Sequence, residues 1–162
     1  MEEVSDMKIL ILYYTKTGHT LEAANAVAEG IKSAGSEADL FDVKSLSAEK
    51  ISDYDALIVG SPCWTGSLRK KEGLAFPLKS FLVALPPDIL KGKKCGGFSV
   101  HAGAGGNVTI ANTGLILKEK GCEVYIPGPV AAAGVAFSLW KGPSVSAKDL
   151  EIFKAYGSDF AQ

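Results

Sequence analysis

MKILILYYTKTGHTLEAANAVAEGIKSAG, residues 7–35, carries three signals in succession. Met7–Tyr14 is a near-continuous apolar run, the pattern of a strand buried on both faces. Thr20–Ala34 repeats apolar residues at Leu21, Ala24, Val27, Ala28 and Ile31, a helical spacing, and Gly35 closes it. Between them lies TKTGHT, in which Thr15, Thr17 and Thr20 stand beside Lys16, Gly18 and His19. A strand that passes through such a turn into a helix sets hydroxyls next to unpaired backbone N–H groups and the positive end of the helix dipole. The result is a cup suited to a phosphate group. The stretch lacks GxxxxGK[ST], so it is not built for a nucleoside triphosphate with magnesium. A helix cap alone needs one hydroxyl, not three with a glycine.

The same alternation continues along the chain. Ala38–Val43 and Tyr54–Gly60 read as strands, and Lys44–Asp53 between them as a short helical link. The loop SPCWTGS follows, then a helix over Lys70–Leu85 interrupted by Gly73 and Pro77. Lys94–His101 is a strand, HAGAGGN a glycine-rich loop, and Val108–Lys120 a helix closed by Gly121. Cys122–Ile126 is the last strand, Pro127–Ser146 is irregular, and Ala147–Phe160 is a terminal helix capped by Ser146. Strands alternating with helices predict an α/β fold, a parallel sheet covered on both faces by right-handed crossovers. One domain is expected over residues 1–162, with 1–6 as a flexible extension.

Composition narrows the function. A formal net charge of −1 points neither to nucleic acid nor to an anionic membrane as partner. No apolar run approaches the roughly 18 residues of a membrane span, and MEEVSD is unlike a signal peptide. Cys63, Cys95 and Cys122 are an odd number without CxxC or Cys/His clustering, which argues against a disulfide framework or a metal site and for reduced thiols in the cytoplasm.

YTKTGHT resembles the [ST]-x-T-G-x-T phosphate loop of the flavodoxins, and the likeness extends over nearly the whole chain. The resemblance implies a doubly wound five-stranded sheet of order 2-1-3-4-5, with flavin mononucleotide (FMN) at the switch point. It places the phosphate at Thr15, Lys16, Thr17, Gly18, His19 and Thr20. It sets the flavin ring between the loop of Ser61, Pro62, Cys63, Trp64, Thr65 and Gly66 and the loop of His101, Ala102, Gly103, Gly105, Gly106 and Asn107. Trp64 would stack on one ring face. The Thr65 carbonyl would accept a hydrogen bond from flavin N5–H, with Gly66 permitting the turn. Flavodoxins often place a tyrosine in the third loop, and HAGAGGN has no aromatic residue. The second face is therefore open, or covered by His101 or by Phe137 or Trp140.

Two activities fit that resemblance: an electron carrier working between redox-partner proteins, and an NAD(P)H-dependent FMN or quinone oxidoreductase taking hydride on the open face. Compact length favours the carrier, because the related tryptophan-repressor-binding-protein-type quinone oxidoreductases carry extra segments. The expected state is a monomer or weak dimer, with no catalytic side chain and no metal. Other readings are weaker. GAGGNV, from Gly103, follows the fourth strand rather than the first and lacks the third glycine of a dinucleotide fingerprint. Cys63 and Arg69 have the C-x5-R spacing of cysteine phosphatases, but Trp64 is bulky where phosphate would sit. A response regulator needs acidic residues where Tyr14, Thr15, Gly60 and Ser61 stand.

Overall fold

A computed structural model of the chain describes residues 6–63, 73–101, 106–133 and 144–162. Its strands are β1 (Lys8–Tyr13), β2 (Glu37–Asp42), β3 (Ala56–Pro62), β4 (Lys94–His101) and β5 (Val124–Ala132). Its α-helices are α1 (His19–Ser33), α2 (Phe76–Val83), α3 (Gly106–Glu119) and α4 (Ala147–Phe160). All strand pairs are parallel, in the order β2-β1-β3-β4-β5. The expected doubly wound sheet of order 2-1-3-4-5 is therefore present.

Alternation along β1 divides the core. Ile9 and Ile11 face one side, packed with Val27 and Ile31 of α1 and Phe153 and Phe160 of α4. Leu10 and Leu12 face the other, packed with Leu78 and Leu82 of α2 and Leu117 of α3. All four β1 residues are wholly buried, as a central parallel strand requires. Phe98 and Phe153 meet edge to face with centroids 5.5 Å apart, a favoured aromatic geometry.

Helices α1 and α4 approach until their backbones nearly touch. A Cβ at Gly157 would fall on the Val27 carbonyl oxygen, and one at Gly30 on the Lys154 carbonyl oxygen. Both glycines are buried, so the pair acts as two interlocking notches that bring the helices together.

Several boundaries differ from the sequence expectation. Helix α2 begins at Phe76, not Lys70, and Pro77 opens it instead of interrupting it. Proline's fixed φ and missing N–H suit a first helical turn. Residues 64–72 lie outside the described part. Strand β5 runs on through Pro127 and Pro129 to Ala132, where the sequence reads as irregular. It is an edge strand, where prolines are tolerated. Its register against β4 shifts between Gly97 and Ser99. Helix α3 starts two residues early, at Gly106. The link after β2 holds two 3-10 turns, Val43–Ser45 and Ala48–Asp53. Ser146 caps α4 as expected, its hydroxyl accepting from Asp149 N at 3.1 Å. Among the described residues no helix is long and apolar enough to cross a membrane.

Two outcomes are expected. Gly157→Ala should destabilise the protein by about 1–3 kcal/mol, the range for overpacking, although alanine is the better helix former; urea unfolding reads this, and an unchanged midpoint would refute the notch. Burial pushes the Tyr54 phenol up to about 12, helped by its hydrogen bond to Asp39, and burial raises Tyr125 and Tyr156 as well. A raised phenol contributes stability that is present below its unfolded value of about 10 and is lost as pH rises through the folded value. Absorbance at alkaline pH should show these phenols ionising well above the ordinary value of about 10; ionisation at the ordinary value would contradict their burial.

Candidate functional site

Every described strand ends on the same side of the sheet, and the residues singled out from the sequence gather there. Strand β1 ends at Tyr13, level with Asp42 at the end of β2 and Gly60 in β3. Burial, then the Asp42 carboxylate, raises the Tyr13 phenol above its ordinary value. The chain turns immediately: Tyr14 N donates to Gly60 O at 3.2 Å. Gly18 N then donates to Thr15 Oγ1 at 2.9 Å, closing a tight turn. Gly18 has φ of 95°, which an L side chain resists, and it occupies the N-cap position of α1. No side chain caps α1, so neither Thr15 nor Thr17 serves that purpose. The hydroxyl of Thr15 shapes the turn instead.

His19 and Thr20, the first residues of α1, are buried. The His19 ring is held at Nδ1, 3.0 Å from Glu22 Oε1. Thr15, Thr17 and Gly18 are half-buried, and Lys16 is exposed. Thus the rim of the turn is open while its base is packed.

The second loop rises from β3. Ser61 is buried, and its hydroxyl is engaged by the chain itself: it donates to Pro62 O at 2.7 Å and accepts from Ala75 N at 3.0 Å. Ser99 Oγ donates to Ser61 O at 2.9 Å. The Ser61 side chain thus braces the loop base rather than facing outward. Pro62 and Cys63 are half-buried; Cys63 N donates to Val100 O at 3.3 Å, and Cys63 bridges Leu74 in antiparallel fashion. The two ends of the loop are pinned side by side. Trp64, Thr65, Gly66 and Arg69 lie outside the described residues. Gly73, where description resumes, has φ of 70°, and a Cβ there would fall on Thr109 Oγ1 of α3.

His101 ends β4 and is half-buried, its carbonyl accepting from Ala133 N at 2.9 Å. Its Nδ1 is buried with no hydrogen-bond partner among the described residues. A polar atom in that state signals a missing partner at the mouth of the sheet. Gly106 starts α3 close against it: a Cβ on Gly106 would lie 3.2 Å from His101 Cδ2. Asn107 follows, exposed, in the first turn of α3. Ala102, Gly103 and Gly105 lie outside the described residues, as do Phe137 and Trp140.

The structure therefore brings together Thr15–Thr20, Ser61–Cys63, His101, Gly106 and Asn107 at one end of the sheet. Sequence reading missed Ser99, Gly73 and Glu22. Only Glu22 left a local signal, three residues after His19 on the same helix. The brace from Ser99 joins residues 38 positions apart and leaves none.

Both Gly18→Ala and Gly73→Ala place a side chain in a left-handed conformation, at a cost of roughly 1–2 kcal/mol. Around Gly18 the space is open, whereas at Gly73 the Thr109 hydroxyl stands in the way. Gly73→Ala should therefore lose more stability in urea unfolding, by about 1 kcal/mol or more. Equal losses would contradict the packing of Gly73 on α3.

Comparison with known proteins agrees with this geometry. The flavodoxin family model matches residues 11–128. The chain is 30% identical over 143 residues to a flavodoxin of Aquifex aeolicus, covering 86% of this chain and 74% of that protein. It is also 30% identical over 115 residues to an NAD(P)H dehydrogenase (quinone) of Caulobacter vibrioides, covering 59% of this chain and 57% of that enzyme. Oxidised flavodoxin 1 from Bacillus cereus superposes with a TM-score of 0.74 at 22% identity, over 94% of this chain and 96% of its own. The parallel sheet in the order β2-β1-β3-β4-β5, the Thr15–Gly18 turn leading into α1, and the family match over most of the chain place this protein in the flavodoxin family.

Proposed function

We propose that this protein is an electron-transfer flavoprotein that binds FMN non-covalently and passes electrons between redox partners. The observation that carries the reading is the turn from Thr15 to Gly18, set between the end of β1 and the N-terminus of α1. Positions of this kind, past the carboxyl ends of parallel strands at a switch point, take nucleotide phosphates. The N-terminal N–H groups of α1 lack intrahelical partners and point toward the turn, and its dipole favours a dianion. Thr15, Thr17, Gly18 and Thr20 would hold the phosphate, with Lys16 at the exposed rim.

The fit extends beyond the phosphate. Among the described residues His101 Nδ1 is an orphaned polar atom at the mouth, and a polar ring edge would supply its partner. Bound FMN supplies the redox chemistry, and the chain supplies binding, orientation and exclusion of water. Ser61 and Ser99 brace the base of the second loop, from which Trp64 and Thr65 would meet the ring.

A second activity of the same site is an NAD(P)H-dependent quinone or FMN oxidoreductase. The third loop favours it, since HAGAGGN offers no aromatic side chain to cover the second ring face. Coverage favours the carrier, because the match spans 74% of the Aquifex flavodoxin but 57% of the Caulobacter quinone dehydrogenase. The phosphatase reading is the weakest of the three. Trp64 is bulky where the phosphate of that reading would sit.

Adding FMN to flavin-stripped protein should yield a bound-flavin visible spectrum, and Thr15→Val should weaken that binding about tenfold, the scale of one lost hydrogen bond. Anaerobic reduction in two separable one-electron steps, with negligible reduction by NADH or NADPH, would identify the carrier. Rapid reduction by a nicotinamide in one two-electron step would identify the oxidoreductase. Absence of any bound spectrum at saturating FMN would sink both.

A further inference from the structure

Glu22 lies in the first turn of α1 and belongs to neither loop described above. One carboxylate oxygen, Oε1, is 3.0 Å from His19 Nδ1. The other, Oε2, accepts from Val145 N at 3.0 Å, across 123 positions of chain. Val145 is 5% exposed, and Ser146 beside it caps α4. The carboxylate therefore joins the first turn of α1 to the chain entering α4, near the positive dipole ends of both helices.

An ionised carboxylate only accepts hydrogen bonds, so both of its partners must donate. That places a proton on Nδ1 of His19. Glu22 is also tied to the phosphate turn through its backbone, since Glu22 N donates to Gly18 O at 3.0 Å while Gly18 N reaches Thr15 Oγ1 at 2.9 Å. Thr15, Gly18, Glu22, His19 and Val145 thus form one connected set. Removing the carboxylate would orphan the N–H at Val145 and take one hydrogen bond from the buried His19 ring, which sits directly after Gly18.

We propose that Glu22 is a positioning residue of the phosphate turn. Holding His19 on one side and Val145 on the other, it keeps the start of α1 in the geometry that receives a phosphoryl group. This role rests on the reading that Thr15–Thr20 takes the phosphate of FMN.

The test uses the full chain, stripped of flavin, with FMN and riboflavin as paired probes that differ only in the phosphate. Glu22→Ala should bind FMN about tenfold or more weakly, while riboflavin binding stays within about twofold. Glu22→Gln should restore FMN binding to within about threefold of the original chain. Its amide oxygen can accept from Val145 N, and its NH2 can donate to His19 Nδ1, moving the ring proton to Nε2. Nitrogen-15 NMR in alkaline buffer reads that exchange directly. The chain has two histidines, and a His19→Gln spectrum assigns their signals.

An Nδ1–H imidazole in the original chain and an Nε2–H imidazole in Glu22→Gln support the assignment. An Nε2–H ring in the original chain overturns it. FMN binding unchanged in Glu22→Ala, or FMN and riboflavin weakened alike, also overturns the proposal, the latter by exposing general structural damage. Should Glu22→Ala fail to fold, Glu22→Asp takes its place, because a carboxylate one methylene shorter cannot span both partners. Failure of the original chain to bind FMN at all is a different result, and it removes the functional reading on which this role rests.

Discussion

A parallel strand packed on both faces leaves no room for a charged side chain at its centre, and β1 is such a strand. Ile9, Leu10, Ile11 and Leu12 are wholly buried, two against each helical layer. Chemistry is therefore pushed past the carboxyl end of the sheet, where the backbone must leave the ladder and its polar groups need new partners. The tight Thr15–Gly18 turn is the immediate consequence. The loops after β3 and β4 meet it because strand order places those strands successively beside β1. The site is thus a product of what the core excludes.

The structure holds this end firmly at its base. Ser61 and Ser99 are buried hydroxyls whose partners are backbone groups of neighbouring segments, so the second loop departs from a fixed platform. The bridge between Cys63 and Leu74 brings the two ends of that loop together. Gly73 sits on Thr109 and so links the loop base to the first turns of α3. On the opposite face the glycine notches of α1 and α4 bring two helix backbones close, and Glu22 ties their N-terminal ends together. A turn with an open rim can keep one shape only if its surroundings are this constrained.

Much of this was legible along the chain because its signals are local. The apolar run of β1, the helical spacing from Leu21 to Ile31 and the Gly35 stop need no distant information. The Thr-Gly turn is likewise contained in six residues, and its place between strand and helix already suggested phosphate. Boundaries failed where context overrides local preference. Pro77 reads as a breaker and is a helix start. Pro127 and Pro129 read as irregular chain and lie within an edge strand, because an edge does not require every N–H. Glu22 could be placed beside His19 from the helical repeat, but its bond to Val145 could not.

The sequence by itself determined the elements, the parallel α/β class and the Thr-Gly turn between β1 and α1, since each depends on periodicity or on neighbours a few residues away. The resemblance of YTKTGHT added the strand order. Only the tertiary structure decided which polar groups serve the site and which serve its frame. It engaged the Ser61 hydroxyl at the loop base, left His101 Nδ1 without a partner among the described residues, and joined Glu22 to Val145. The physical reason is that a hydrogen bond is settled by distance and direction in space, and residues far apart along the chain carry no periodic trace of having met.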